Sequence, residues 1–353
     1  MLLHLLSSIP TLFTPSLSFH LIKWRTNCAN RQMGRESLLP QVKKPLNFRL
    51  CKVSGHTSEV LEIQADDPTL HVLFIPGNPG VISFYKDFLE SLYELLGGRA
   101  SITVIGHISQ TAKDWEHGRL FSLQEQIDHK MDFIGQELQN TEVPIILVGH
   151  SIGSYISVEV LKRSLEKVIY CVGLYPFLAL NRQSIKQSII GKIAASSFIS
   201  AAVSFAIASL GLLPRRALTV VVSKSFGSSW SGTAVEVACT HLSQYHVMRN
   251  VLFLAMTEFK KLSETPDWAF MRANQDKIAF LFGIDDQWGP LQMFEEISKQ
   301  APDIGLSIER EGHTHAFCCT QAGSSWAAGH VANLIRKRFQ VKVRPTPYIC
   351  RSH

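Results

Sequence analysis

Ser151 lies between two glycines in Val148-Gly149-His150-Ser151-Ile152-Gly153. A serine hydroxyl attacks a carbonyl well only when a base takes its proton and donors meet the charge that develops on oxygen. The G-x-S-x-G pattern serves that chemistry when a buried strand leads into it and a helix leads out, because the strained turn then holds the hydroxyl exposed above a sheet. Both flanks fit. Ile145 to Val148 is an apolar, mostly β-branched run that predicts a buried parallel strand, and a helical run follows from Ser154 to Ser164. A five-residue pattern also arises by chance, so the weight rests on this strand-turn-helix setting.

The base and its orienting carboxylate should follow in chain order, acid before histidine, in loops at the C-terminal ends of strands. Two loops qualify. The strand Ile278 to Phe282 leads into Gly283-Ile284-Asp285-Asp286-Gln287-Trp288, and the strand Leu306 to Ile308 leads into Glu311-Gly312-His313-Thr314-His315-Ala316-Phe317. Each offers a pair, Asp285 or Asp286 and His313 or His315, and distance from the strand end slightly favours the later residue. The competing role for Asp285 is a turn-forming carboxylate, and for His313 a solvent-facing loop residue. His150 is too close in sequence to the nucleophile to swing round as base, and His71 reads as a strand-edge histidine. For the oxyanion, one donor is the N–H of Ile152. The other should come from Pro76-Gly77-Asn78-Pro79-Gly80, which follows the strand His71 to Ile75. Pro79 has no N–H, which leaves Asn78 as the best donor, with Gly80 behind it.

The elements that must position these residues alternate. A hairpin, Leu46 to Val53 and Val60 to Gln64, turns at Ser54-Gly55 on the sheet edge. Helical periodicity runs from Phe84 to Leu96, with Phe88, Leu92 and Leu95 on one face. A strand, Ile102 to Ile105, is followed by an amphipathic helix, Ser122 to Leu138, opened by a Ser122/Glu125 capping box. After the elbow come the strand Val168 to Leu174 and then, past a long interruption, the helices Leu291 to Ala301 and Trp326 to Phe339. The expected fold is α/β: a mostly parallel central sheet with helices on both faces and a helical lid insertion.

With 353 residues and 46% hydrophobic content, one large domain is expected. Its divisions are an N-terminal extension at 1–44, core at 45–176, an insertion at 177–275, core again at 276–340, and a tail at 341–353. The net charge of +6 is scattered, which argues against nucleic acid. Seven cysteines without a CxxC pair suggest reduced thiols and a cytosol-facing protein, and no residue cluster calls for a metal or cofactor. The first 35 residues carry no Asp or Glu, like an organelle transit peptide; the alternative is an extended N-terminus with Met33 as a start. Within the insertion, Ile193 to Leu213 holds 21 residues without a charge, flanked by Lys192 and Arg215-Arg216. A spanning helix there would separate the two halves of the sheet across a membrane. The expectation is a helix or helical hairpin dipping into a lipid surface; the alternative is a lid buried on the core.

Taken together, several segments resemble the lipid droplet-associated hydrolase family. They are Phe74-Ile-Pro-Gly-Asn-Pro-Gly80, Gln126-Ile-Asp-His-Lys130, Val148-Gly-His-Ser-Ile-Gly-Ser-Tyr155, Asp286-x-Trp288 and His315-Ala-Phe317. The resemblance covers about 72–339. It implies an α/β-hydrolase fold, a triad of Ser151, Asp286 and His315, and hydrolysis of neutral-lipid or sterol esters. It further implies a lipid droplet and endoplasmic reticulum location. The chain departs from the family at Asp285, where an apolar residue is usual, and at Gln287, where proline is usual. Two other readings compete: a weakly active or inactive droplet-surface interaction protein, and a thioesterase or acyltransferase in a plastid or mitochondrion if the N-terminus is a transit peptide.

Overall fold

The computed structural model describes residues 44–140, 142–226 and 229–339. The expectations for the N-terminal extension up to residue 43 and for the tail from residue 340 lie outside these residues. Eight strands form one sheet: β1 (Asn47–Val53), β2 (His56–Ile63), β3 (Leu70–Ile75), β4 (Ala100–Ile105), β5 (Ile145–His150), β6 (Val168–Leu174), β7 (Ile278–Gly283) and β8 (Gly305–Glu309). Their order is β1-β2-β4-β3-β5-β6-β7-β8, and only β2 runs against its neighbours. β3, β4, β5 and β7 are buried at every position, as expected of strands covered on both faces.

After β3 the chain lays β4 on one side and β5 on the other, so the order reverses between β3 and β5. Loops leaving the C-terminal ends of two such strands diverge and leave a crevice. Those loops carry Asn78 and Ser151. The helices that cover the sheet begin with α1 (Lys86–Leu95), α2 (Leu123–Glu137) and α3 (Ile152–Arg163). A short 3-10 turn, Ile82–Tyr85, takes the start of the helix expected from Phe84. α1 buries Phe88, Leu89 and Leu92, whereas Leu95, expected on that face, is 36% exposed. The Ser122/Glu125 capping box opens α2, with both reciprocal hydrogen bonds present.

Between β6 and β7 the chain builds a cap of α4 (Ile185–Ala195), α5 (Ser197–Leu210), α6 (Arg215–Phe226), α7 (Gly232–Val237) and α8 (Tyr245–Leu262), then returns through α9 (Trp268–Ala273). The Leu180 N–H donates to the Leu262 carbonyl at 3.0 Å, so the chain entering the cap touches the chain leaving it. α4 and α5 meet at 101°. The bend falls at Ser196, whose hydroxyl accepts from the Ile199 N–H and starts a second helix. Among the described residues no single helix is long and apolar enough to cross a membrane. α10 (Leu291–Gln300) and α11 (Gln321–Phe339) complete the core.

Candidate active site

The elbow turn is as tight as its glycines allow. A Cβ on Gly149 would stand 2.2 Å from the Gly153 carbonyl oxygen, and one on Gly153 would stand 2.2 Å from that of Ile75. Strand, turn and helix therefore close only with hydrogen at both positions. Ser151 takes φ 55° and ψ −123°, a region a non-glycine residue enters only when its surroundings force it. Its N–H donates to Leu174 of the neighbouring strand, and its carbonyl accepts from Ser154 and Phe177. The side chain sits at the head of α3, on the positive end of that helix.

The two ambiguous loops separate by burial. Asp286 is buried and Asp285 exposed. Asp286 Oδ2 lies 2.8 Å from His315 Nδ1, and Oδ1 accepts the Trp288 N–H at 2.9 Å. The turn-forming role and the histidine contact, weighed as rivals for this loop, thus fall to the two oxygens of one carboxylate. The Asp286 side chain is 1% exposed and the imidazole 22%. With Nδ1 engaged, Nε2 is the ring nitrogen left for proton transfer. His313 instead packs beside Trp326, with ring centroids 5.6 Å apart.

Ser151, His315, Asn78 and Gly77 line one open cleft with about 870 Å³ of empty space. Its apolar wall is Phe177, Ile190, Ala255, Phe259 and Trp288. The N–H groups of Gly77 and Gly80, on either side of Asn78 and Pro79, are both occupied. The Gly77 N–H donates to Tyr85 Oη at 3.0 Å, and the Gly80 N–H donates to Gln110 Oε1. The Asn78 side chain turns away, its amide donating to the Val251 carbonyl at 2.9 Å. Among the described residues no group of three or more His, Cys, Asp or Glu could hold a metal ion. His71 is buried within β3 with Nε2 3.1 Å from Thr103 Oγ1, remote from this chemistry.

Three supporting residues were not assigned roles from the sequence. His150 Nε2 lies 2.9 Å from the His315 carbonyl oxygen. A carbonyl only accepts, so Nε2 carries the hydrogen and Nδ1 accepts from Tyr85 Oη, 2.8 Å away. Burial, and then the nearby His315, keep the His150 ring neutral, consistent with this tautomer. One line of hydrogen bonds, Gly77 to Tyr85 to His150 to His315, therefore ties together the loops after β3, β5 and β8. The third is Lys130, fully buried on α2, which donates to the Gly106 carbonyl at 2.7 Å. It anchors the loop that carries Gln110. Burial drives its pKa well down. In the linear sequence, His150 shows as a histidine between Gly149 and the nucleophile and Lys130 as the end of a family-like segment, but neither signal carries a role.

Comparisons with known proteins bear on the family and the fold. The family model described as lipid-droplet associated hydrolase matches residues 68–318, more than half of the chain. A lipid droplet-associated hydrolase of Gallus gallus is 27% identical over 71% of this chain and 80% of its own. One from Dictyostelium discoideum is 26% identical over 75% and 88%, and one from Rattus norvegicus is 27% identical over 82% and 91%. Among solved structures, a carboxylesterase of Nitrososphaera gargenis superposes with a TM-score of 0.58 at 13% identity, covering 82% of this chain and 100% of that one. A haloalkane dehalogenase variant from Bradyrhizobium elkanii gives 0.56 at 14%, covering 84% and 100%. An esterase and a dehalogenase share this scaffold, so these two establish an α/β-hydrolase fold and not a reaction. Given the extent of the family match, the chain belongs to the lipid-droplet associated hydrolases.

Proposed function

We propose that this protein is a serine hydrolase of neutral-lipid or sterol esters at the lipid droplet surface. The observation that carries the reading is the convergence on one cleft of a strained Ser151 and a His315 held by the buried Asp286 at 2.8 Å. His315 Nε2 removes the Ser151 proton as Oγ attacks the ester carbonyl. The Asn78 and Ile152 N–H groups meet the oxyanion, and donors fixed in advance need no reorganisation when the charge appears. Asp286 holds the imidazole tautomer and stabilises the imidazolium. The protonated ring then donates to the leaving alcohol, and water, activated by the same histidine, cleaves the acyl-enzyme.

The cap supports the choice of a lipid surface. α5 turns Ser200 and Ser204 inward and leaves Phe198 84% and Phe205 68% exposed. Leu212 is 87% and Ile185 77% exposed, and in sequence the exposed Lys192 and Arg216 stand on either side of α5. An amphipathic surface with basic flanks suits an anionic or neutral lipid monolayer. In this reading the protein lies on the cytosolic face of droplets and of the endoplasmic reticulum, with Ile193 to Leu213 as its lipid contact.

The deciding experiment is labelling of the purified protein by a fluorophosphonate probe. Wild type should label and Ser151→Ala should not; labelling that persists in the variant would falsify the assignment. Deleting Ile193 to Leu213 should release the protein from droplets in cells, and unchanged targeting would remove the cap from this account.

A further inference from the structure

Glu258 is misplaced by every ordinary rule of burial. Helix α8 presents Val247, Val251, Leu254, Ala255 and Leu262 to the interior, and Glu258 stands in the same stripe. It is 3% exposed and lines the cleft that holds Ser151. Its Oε1 has no hydrogen-bond partner among the described residues. The polar group beside the carboxyl is the Asn78 side chain, next to the proposed oxyanion donor. The cleft it lines also holds the apolar wall of Phe177, Ile190, Ala255, Phe259 and Trp288, together with Ser151 and His315. A buried polar atom left unpaired costs free energy, and a cleft is the one place where a ligand can supply the missing partner.

The chemistry of that partner can be narrowed. Burial pushes the Glu258 carboxyl up to about 8, against a smaller pull from Asn78, so at neutral pH it keeps its proton. A neutral carboxyl accepts from a hydroxyl and donates to an oxygen, and it repels a second anion less than a carboxylate does. An acyl chain carries no such group, and the scissile carbonyl belongs to the Asn78 and Ile152 donors. A free hydroxyl on the alcohol half of the ester remains.

We infer that Glu258 is a specificity residue that hydrogen-bonds a free hydroxyl of the substrate, which narrows the neutral-lipid and sterol esters proposed above: the cleft ranks partial glycerides ahead of those lacking a free hydroxyl, triacylglycerols and sterol esters. This rests on the ester hydrolysis proposed for Ser151. A site built to pair a substrate hydroxyl discriminates strongly against the analogue without it, because its own polar group is then stranded.

The full-length protein should be assayed on 1-monooleoylglycerol and methyl oleate in the same mixed micelles. The quantity to read is the ratio of the two kcat/KM values. Glu258→Leu should lower that ratio about tenfold, the loss of one hydrogen bond, and Glu258→Gln, which keeps a donor and an acceptor, should hold it within about threefold of wild type. On wild type, 1-O-hexadecylglycerol should inhibit about tenfold better than its dimethyl ether, which tests the contact without any variant. An unchanged ratio in Glu258→Leu, or equal inhibition by the two ethers, overturns the inference while fluorophosphonate labelling of Ser151 leaves the hydrolase reading standing. A wild type that cleaves neither ester and escapes the probe overturns both.

Discussion

Strands β3, β5 and β7 enclose every residue they contain, whereas helix α5 encloses two serines and one isoleucine, Ile207, and offers phenylalanines to the outside. The first pattern is what water outside a protein enforces, with apolar side chains withdrawn and polar ones left out. The second departs from it, because the largest apolar side chains of α5, Phe198 and Phe205, are the exposed ones. The inward serines are not stranded: Ser204 Oγ donates to the Ser200 carbonyl, and Ser200 Oγ accepts from Arg249 on α8 at 2.7 Å. The cap keeps an apolar interior, with Ile190, Ala194, Ile207, Leu218 and Val222 buried, and α5 adds large apolar side chains on the outside. Sheet and α5 thus differ in where their largest apolar side chains stand, and Ser151 and His315 lie in a cleft lined by residues of both core and cap.

Four measurements would break or sharpen that contrast. The largest effect is expected at the rim of the sheet. Asp286→Asn removes the acceptor that fixes the His315 tautomer and should lower kcat about 10⁴-fold with little change in melting temperature. An effect under tenfold would mean that the pair is structural. Next, equal truncations should have unequal costs. Phe74→Ala, inside the sheet core, should lose about 3–5 kcal/mol of stability in urea titrations, while Phe205→Ala should stay within about 0.5 kcal/mol. Comparable losses would show that α5 is held by contacts in water and would undo the distinction.

A third test concerns Glu258. Its carboxyl holds a proton in the fold up to about pH 8 but sheds it near pH 4.5 when unfolded, so native stability falls as pH rises through that window. Glu258→Gln should therefore be more stable than wild type by about 3 kcal/mol at pH 7, with the gap closing as pH drops toward 4.5. A gap independent of pH would mean that Glu258 is ionised in the fold. The smallest effect is expected for Tyr85→Phe, which cuts the hydrogen-bonded line between the elbow and the Gly77 loop. The expected loss is about tenfold in kcat with KM unchanged, and a change confined to KM would place Tyr85 against substrate instead.

Much of the scaffold could be read from periodicity. β6 spans the residues expected from their apolar run, and the capping box located the start of α2. The Ser151 elbow was legible because glycine at two fixed offsets has a steric meaning. The choice between Asp285 and Asp286 depended on which side chain faces inward after a turn, and adjacent residues in a loop carry no period to reveal it. The bend at Ser196 was equally hidden, since serine within a helical run and serine restarting a helix read alike. Glu258 left a trace: Val251, Leu254, Ala255, Glu258 and Leu262 fall on one helical face. A carboxylate in that stripe is an anomaly, but its meaning needed the cleft. The line from Gly77 through Tyr85 and His150 to His315 joins parts of the chain as far as 238 residues apart, beyond the reach of any local pattern.

The single backbone hydrogen bond between Leu180 and Leu262 gives the cap a narrow neck. The chain between those residues leaves and rejoins the core there, and it is also tied to the core by the Val251 carbonyl, which accepts from Asn78, and by His246 and Asn250, which bond to the loop ahead of α2. Such an attachment couples cap and reacting centre through α8. Changes on the exposed face of α5 leave these bonds untouched, whereas changes in α8 reach the cleft. Because α8 supplies both the Val251 carbonyl and Glu258, its placement sets how the Asn78 loop and the cleft wall meet.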